Sequence, residues 1–279
     1  MKKIKICIAA VCVICFMMPV HAQKSETQKK HHNVNLGFEV GSNLFFGDPV
    51  KPAMVRESKS YYNMFDDRHF YCGFIPDYQE MYIMYIGVKP EFFFSNNRLG
   101  LSTGLRFSKY STALDSDRDY FLWLLNQDGV NTEYVKIRDI TQNSYYLGIP
   151  FDFRFFLNKR EKPAQFYFKI GSVFNFCLRT NNRVNFQNEN MNIHTGTVVD
   201  QAIQSVQDFN AYMYMGMGLK IGNYKAEGRR TFPYINIEIH FFNQMLTEDE
   251  PSFIKTDGGV GIQLSVQIPL GKSVPIGTR

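Results

Sequence analysis

The chain contains 279 residues, of which 44% are hydrophobic, 15% aromatic and 20% charged, and its formal net charge is +5. Lys2, Lys3 and Lys5 contribute three of these charges, so a chain without its first segment would carry +2. Proteins that bind nucleic acid usually carry a strongly basic face or domain, which this balance does not supply. The composition therefore predicts no nucleic-acid partner.

The first predicted element is a signal peptide over residues 1–22. Its lysines are followed by the apolar run Ile6–Met18, which is shorter than the about 20 residues that a membrane-spanning helix requires. We predict cleavage after Ala22, and the polar residues 23–32 are predicted to be a disordered periplasmic N-terminus. No later stretch is long and apolar enough to predict a helical membrane span.

Beyond residue 32, apolar and polar side chains alternate with a period of two, which is the pattern of a β-strand with two different faces. In the first segment, for example, Val34 and Leu36 alternate with Asn35 and Gly37. The pattern recurs along the chain. The eight predicted strands are 34–41, 86–92, 99–107, 145–155, 166–176, 213–221, 235–241 and 260–268.

The predicted connections alternate between long and short. In chain order they cover 44–80, 95–98, 111–142, 158–164, 179–208, 223–230 and 243–256. Outer-membrane β-barrels of bacteria have an even number of strands, long extracellular loops and short periplasmic turns. This pattern predicts both termini in the periplasm, with residues 271–279 as a periplasmic tail.

The contents of the two strand faces predict which face lies inside a barrel. The apolar face holds about forty side chains, many of them Phe, Met, Ile or Leu, and an eight-stranded lumen is only just wide enough for ordinary side chains. The other face carries nearly all the strand glycines, which relieve crowding, and every charge of the strand cores. The sequence therefore predicts an all-β fold, an eight-stranded antiparallel transmembrane β-barrel over residues 33–270, in the outer membrane of a Gram-negative bacterium.

Three runs, together with the signal peptide, resemble the PorT-like outer-membrane β-barrel family. They are NVNLGFEVGSNLFF in the first strand, SYYLGIPFDFRFFLN in the fourth and QFYFKIGSVFNF in the fifth. The resemblance covers most of the mature chain and implies the fold and the outer-membrane location. Most members of that family have no assigned activity. The founding member belongs to a secretion apparatus, and no residue here carries that role across.

Ionisable side chains on the polar face are predicted to form a charge network inside the lumen. Five are basic and four are acidic, with a histidine beside them, which favours mutual pairing. The alternative is a path for protons or ions through the lumen. The predicted network consists of Glu39, Lys89, Glu91, Arg106, Asp152, Arg154, Lys169, Lys220, Glu238 and His240.

Glu238 and His240 share one strand face, and such a pair can perform acid–base chemistry beside a nucleophile. No serine–histidine arrangement stands out in the sequence, so a Ser or Asp within reach of His240 would discriminate an enzyme from a structural histidine. His194, in the third long connection, is predicted to be solvated. No metal-ligand spacing, Walker loop or dinucleotide fingerprint is present, and we predict no catalytic, metal or cofactor site.

Two cysteines remain after the signal peptide. Cys72 lies in the first long connection and Cys177 near the end of the fifth strand, so both are predicted on the extracellular side. A disulfide between them and two free thiols are both compatible with the sequence, because the required Cα separation cannot be read from it.

Two further predictions concern aromatic residues. The stretch 115–125, DSDRDYFLWLL, combines an acidic start with an apolar run, and it predicts a short helix that packs over the mouth of the barrel. Aromatic side chains near strand ends are predicted to anchor the barrel at the two membrane interfaces. These are Tyr110, Tyr145, Tyr146, Phe155, Phe156, Tyr212, Phe241 and Phe242.

These observations favour a non-enzymatic outer-membrane protein that acts through its extracellular loops, because binding usually resides in loops on a rigid scaffold. Its role would be structural, surface-binding or that of an accessory to an envelope complex. The partners expected are outer-membrane lipid and an envelope protein. The alternatives are a membrane-embedded lipid-modifying enzyme (an acyl hydrolase or transferase) and, third, a narrow channel or a secretion-system component.

Overall fold

The computed structural model describes residues 33–49, 55–57, 79–94, 98–115, 121–128, 131–157, 164–202, 207–222, 233–247 and 254–270. All of them belong to one compact unit, His32–Arg279. The predicted signal peptide, the N-terminal segment 23–32 and the tail 271–279 lie outside the described residues. Among the helices that are described, none is long and apolar enough to cross a membrane.

The described part of the chain is almost entirely β-structure. A 3₁₀ helix, Glu189–His194, leads into the helix α1, Thr195–Ala202. The strands are β1 (Asn33–Pro49), β2 (Val55–Glu57), β3 (Gln79–Phe94), β4 (Leu99–Thr103), β5 (Leu105–Asp115), β6 (Phe121–Asp128), β7 (Asn131–Phe156), β8 (Ala164–Phe186), β9 (Phe209–Ile221), β10 (Tyr234–Met245) and β11 (Ile254–Leu270).

Eight antiparallel strands form a closed ring. Each pairs with its neighbours in chain order, and β1 closes the ring by pairing with β11 from Val34 opposite Leu270 onward. β4 and β5 are two parts of one ring strand, because both pair with β3 and β7 in the same register. They meet at Gly104, where a Cβ atom would collide with the backbone of Val88 and Lys89. The prediction of an all-β antiparallel fold with eight strands is confirmed.

The two ends of the ring differ in their connections. At the end that we call proximal, short connections join β3 to β4, β7 to β8 and β9 to β10. At the opposite, distal end, β7 and β8 continue well past the ring. There β6 pairs with residues 131–137 of β7 on one side and with β2 on the other. We call β2, β6 and the continuations of β5, β7 and β8, with α1, the distal sheet.

A small apolar core holds the distal sheet together. Trp123 of β6, Val135 and Ile137 of β7 and Val198 of α1 are all at most 2% exposed. They pack with Leu114, Ile140, Val184 and Phe186. This region corresponds to the second and third long connections. The expectation of a loop is wrong for the described residues of the second; in the third, where the sequence left open whether the adjoining strands continue, β8 extends to Phe186. The predicted helix over 115–125 is wrong from Phe121 onward, since those residues belong to β6.

The ring strands alternate between buried and exposed side chains, and the charged side chains of their central parts are on the buried side. Along β7, Phe151 and Phe153 are 47% and 44% exposed, whereas Asp152 and Arg154 are at most 1% exposed. We call the exposed apolar side chains on the outside of the ring the apolar belt. It includes Phe38 and Val40 of β1, Ile86 and Val88 of β3, Leu105 and Phe107 of β5, Phe151 and Phe153 of β7, Phe166 and Phe168 of β8, Met217 of β9, Ile237 and Ile239 of β10, and Leu264 and Val266 of β11.

Candidate functional site

The candidate site is the interior of the ring, where every second residue of each strand points. The structure places all ten side chains of the predicted network there, and none is more than 4% exposed. They come from β1, β3, β5, β7, β8, β9 and β10. Their position follows from the period of two, because successive side chains of a strand point to opposite faces.

One half of the network is built around Glu39 and Asp152. The Lys89 ammonium lies 2.5 Å from Glu39 Oε2 and 2.6 Å from Asp152 Oδ2. Arg106 approaches Glu39 Oε1 with two nitrogens, Nη2 at 2.7 Å and Nε at 2.8 Å. The Tyr214 hydroxyl donates to the other oxygen of Asp152. Both carboxylates are therefore held by charge-assisted hydrogen bonds, which are stronger than neutral ones.

The other half is built around Glu238. Arg154 bridges two carboxylates, with Nη2 2.5 Å from Glu238 Oε1 and Nη1 2.7 Å from Glu91 Oε1. The Lys169 ammonium lies 2.6 Å from Glu238 Oε2 and 3.2 Å from Asp152 Oδ2, so it joins the two halves. Lys220 Nζ lies 3.4 Å from Glu91 Oε2. The four carboxylates and five cations thus form one connected set.

Several of these contacts cross the ring instead of following its wall. Arg154 of β7 reaches Glu238 of β10, which lies three strands away around the ring. Lys169 of β8 donates to Gln263 of β11 at 3.2 Å, again three strands away. Such contacts fill the bore with side chains and tie opposite walls together.

Aromatic side chains fill the interior on both sides of the charges. Towards the proximal end, Phe156 packs between Phe93 and Tyr167, with ring centroids 5.7 and 5.1 Å apart. Towards the distal end, the Tyr110 and Tyr146 rings lie 4.5 Å apart, and both are at most 2% exposed. The network is therefore enclosed along the axis of the ring as well as around it.

Several of the predicted interface aromatics are in fact interior residues. Tyr110, Tyr146, Tyr212 and Phe156 are at most 2% exposed and point into the ring, so the prediction that they anchor a membrane interface is wrong. Phe155, Phe241 and Phe242 are exposed on the outside, and Tyr145 is partly exposed there. The strand period of two distinguishes interior from outward aromatic residues, because neighbours such as Tyr145 and Tyr146 face opposite sides of the strand.

His240 lies inside the ring among hydrogen-bonding and aromatic side chains. Its Nε2 lies 3.6 Å from Glu238 Oε2 and its Nδ1 3.3 Å from Asn43 Oδ1. The ring stacks on Tyr214 at 4.5 Å and is fully buried. Among the described residues, these contacts bring no Ser or Asp to the imidazole. The arrangement fits a packed histidine in a hydrogen-bonded interior.

Three tyrosines of the interior carry contacts that the sequence analysis did not assign. The Tyr167 hydroxyl donates to Glu238 Oε1 at 2.7 Å, the Arg106 guanidinium lies 4.0 Å from the centre of the Tyr85 ring, and Tyr214 donates to Asp152. Cations over aromatic faces are stabilised by the ring quadrupole. The sequence could have indicated these contacts, because the three tyrosines occupy the polar face of their strands.

The remaining candidates lie near the distal end. Cys177 is partly buried, and its Sγ lies 3.6 Å from Thr180 Oγ1. Cys72 lies outside the described residues, so the disulfide between them stays a prediction. His194 lies at the end of the 3₁₀ helix and is partly exposed to solvent.

Neither metal clusters nor relatives identify an activity. Within the described ranges, no three His, Cys, Asp or Glu side chains lie close enough together to hold a metal ion. No protein-family model matches the chain, and no curated protein matches it significantly. The likeness to the PorT-like family stays a prediction.

Proposed function

We propose that the chain is a non-enzymatic outer-membrane β-barrel protein whose ring spans the membrane and whose distal sheet is an extracellular binding platform. The observation that carries the proposal is the polarity of the ring, with ionisable side chains inside and the apolar belt outside. Monomeric soluble proteins rarely expose a contiguous apolar patch larger than a few hundred Å². A belt over all eight ring strands is suited to lipid instead.

The height of the belt supports this proposal. On β7 the exposed apolar positions run from Leu147 to Phe155, a stretch of nine residues. A tilted membrane-spanning strand needs about 9–11 residues. Beyond Leu147 in the distal direction, the outward side chains become polar, beginning with Tyr145 and Asn143. On β7 the belt therefore has about the extent of a bilayer core and ends at Tyr145.

The filled interior argues against the channel alternative. Conduction needs a continuous open path, and the contacts of Arg154 and Lys169 cross the ring at the level of the charges. A buried charge is tolerated when it is paired and hydrogen-bonded, and here each carboxylate has at least two cationic or hydroxyl partners. The network serves as the polar middle of a structural core whose two ends are aromatic and apolar.

The enzyme alternative finds no support in the interior. A general base must be within hydrogen-bond reach of the group from which it removes a proton. His240 is fully buried between Tyr214, Asn43 and Glu238, which leaves a substrate no described approach to it. We therefore assign Glu238 and His240 to the structural network.

The distal sheet supports a binding role outside the membrane. It is a folded layer with its own apolar core, so it can present side chains in fixed positions. Rigid presentation lowers the entropy lost on binding. The 3₁₀ helix that follows β8 also exposes an apolar residue, Ile193, at 81%. We propose that this layer contacts another component of the cell envelope.

The proposal is tested by fractionation followed by electrophoresis of unboiled and boiled samples. A folded outer-membrane barrel resists mild detergent until it is heated, so we expect the protein in the outer-membrane fraction with a mobility that changes on boiling. Recovery from the soluble periplasmic fraction without such a change would refute the membrane assignment. The exposed apolar belt would then need another explanation.

The binding role is tested separately in intact cells. A photo-crosslinking residue at Ile193 should give adducts with an envelope component, whereas the same residue at Leu157, exposed at the proximal end, should give a different set or none. Identical adducts at the two positions, or none at Ile193, would contradict the platform role and leave the membrane assignment standing.

A further inference from the structure

The outer surface of the ring carries a basic row at the distal edge of the apolar belt. Lys109 of β5 lies directly opposite Tyr145 of β7, and Tyr145 lies directly opposite Arg179 of β8. Neighbouring strands are about 4.8 Å apart, so the two basic residues flank the tyrosine at a separation of roughly 10 Å. Residues directly opposite each other in an antiparallel sheet share one face, and here it is the outer face.

This basic row marks the boundary of the belt on three adjacent strands. The apolar outward residues next to it on the proximal side are Phe107, Leu147 and Leu178, which are 43%, 40% and 59% exposed. The Tyr145 ring stacks on Phe107 with centroids 6.2 Å apart. The row thus continues an apolar surface directly into cationic and hydroxyl groups. A ligand that matches it has an apolar body and an anionic head.

The charges of the row are available to such a ligand. Among the residues that the structure describes, neither Lys109 nor Arg179 has a salt-bridge partner. A second arginine, Arg183, lies opposite Thr141 further from the belt; its Nε donates to Asn185, which in turn donates to Asp139. Two carboxylates therefore lie near the row: Asp139, which accepts from the Asn185 amide, and the exposed Asp208, whose main-chain oxygen accepts from the Cys177 N–H.

The opposite side of the ring differs at the same boundary. There Asp48 of β1 lies directly opposite Lys255 of β11. On the side of β5, β7 and β8, three basic residues, Lys109, Arg179 and Arg183, stand beside the two carboxylates, so basic groups are in excess there. The asymmetry gives the distal edge of the belt one face with a net attraction for anions.

We propose that Lys109, Tyr145 and Arg179 bind the phosphate groups of a glycolipid of the outer leaflet, whose acyl chains lie along the belt beneath them. Arginine forms forked hydrogen bonds to phosphate, and lysine contributes a point charge. The tyrosine hydroxyl is a further donor, placed between the two. This inference rests on the proposed function, because it requires the belt to lie in the lipid.

The test uses the full mature chain, folded in a neutral detergent, and measures its binding to bisphosphorylated lipid A by native mass spectrometry. We expect dephosphorylated lipid A to bind more weakly and inorganic phosphate not to compete at comparable concentrations. The double variant Lys109→Gln/Arg179→Gln should lose roughly thirtyfold in affinity for bisphosphorylated lipid A, as expected for the loss of two basic residues at a membrane surface.

The matched control is Arg98→Gln/Lys255→Gln, which removes the same charge from exposed positions at the proximal end and on the opposite side of the ring. It should bind as the unaltered chain does. Equal binding of lipid A by both double variants, equal binding of the dephosphorylated lipid, or equal competition by free phosphate would each overturn the proposal. If one of these results is obtained with a protein that is found in the outer membrane and changes mobility on boiling, only the lipid A site is refuted. If the protein is not found there, the proposed function itself is refuted.

Discussion

The ring and the distal sheet share strands β7 and β8 but bury opposite kinds of side chain. In the distal sheet, Val135 and Ile137 of β7 are buried while Lys136 and Arg138 are exposed. In the ring the same strand buries charges and exposes aromatic residues, as at Arg154 and Phe153. The polarity reverses near Tyr145. One strand therefore has two different surroundings, and the proposed change from water to lipid would account for the reversal.

The comparison also shows two ways to build a core. The distal sheet excludes water with a compact apolar cluster, as soluble proteins do. The ring also encloses aromatic and apolar side chains on both sides of its charges, but if its outside faces lipid these side chains gain little by leaving a hydrocarbon surface. Paired charges and hydrogen bonds then become the groups that gain most from enclosure, and they hold the walls together.

The largest effect is expected from removing one partner of the ring network. Glu238→Leu leaves Arg154 and Lys169 without their shared carboxylate in a buried site, which should cost about 3–5 kcal/mol of folding free energy. The measurement is the urea concentration at which an unboiled sample acquires the electrophoretic mobility of the boiled protein. Glu189→Gln, an exposed carboxylate of the distal region, serves as the control and should stay within about 0.5 kcal/mol. Similar losses in both would contradict a structural network.

A second variant pair tests the two outer surfaces. Ile239→Lys places a cation in the belt, where Ile239 is 57% exposed, and a charge at the middle of a bilayer costs about 2–4 kcal/mol. Ile193→Lys makes the same chemical change on the distal region and should be harmless. The readout is the fraction of protein that reaches the outer membrane folded. If both variants fold equally well, the belt does not face lipid.

The smallest effect is expected in the distal core. Ile137→Val deletes one buried methylene-sized group and should cost about 0.5–1.5 kcal/mol. Trp123 is the single tryptophan of the chain and belongs to the same cluster, so its fluorescence reports this region alone. We expect unfolding detected by fluorescence to shift while the mobility change of the ring does not. A shared shift would mean that the two regions unfold as one unit.

The ring could be predicted from the sequence because its signal is local. Alternation over short runs such as 145–155 fixes which residue faces inward, and the same alternation placed each of the ten network residues on the interior face. What the sequence could not give is which charges meet. Arg154 and Glu238 are 84 positions apart, and their contact depends on the order and stagger of the strands around the ring.

The distal sheet was missed for a different reason. Its β7 segment contains a register shift between Ile137 and Asp139, so the inward positions change from odd to even numbers and the alternation breaks. In β6, the run FLWLL is apolar at every position, which is compatible with either a strand or a helix. Only pairing with β7 and burial of Trp123 settle its conformation, and neither is a local property.

The most direct test of the account measures lipid contact at two outward positions of one strand. In a Trp123→Phe background, a tryptophan is placed either at Phe151 in the belt or at Tyr134 in the distal sheet, which are 47% and 43% exposed. Each protein is reconstituted into vesicles whose acyl chains carry bromine, a quencher of tryptophan fluorescence. The account predicts strong quenching at position 151 and little at position 134. Equal quenching at the two positions, or none at 151, would contradict a ring that spans the membrane.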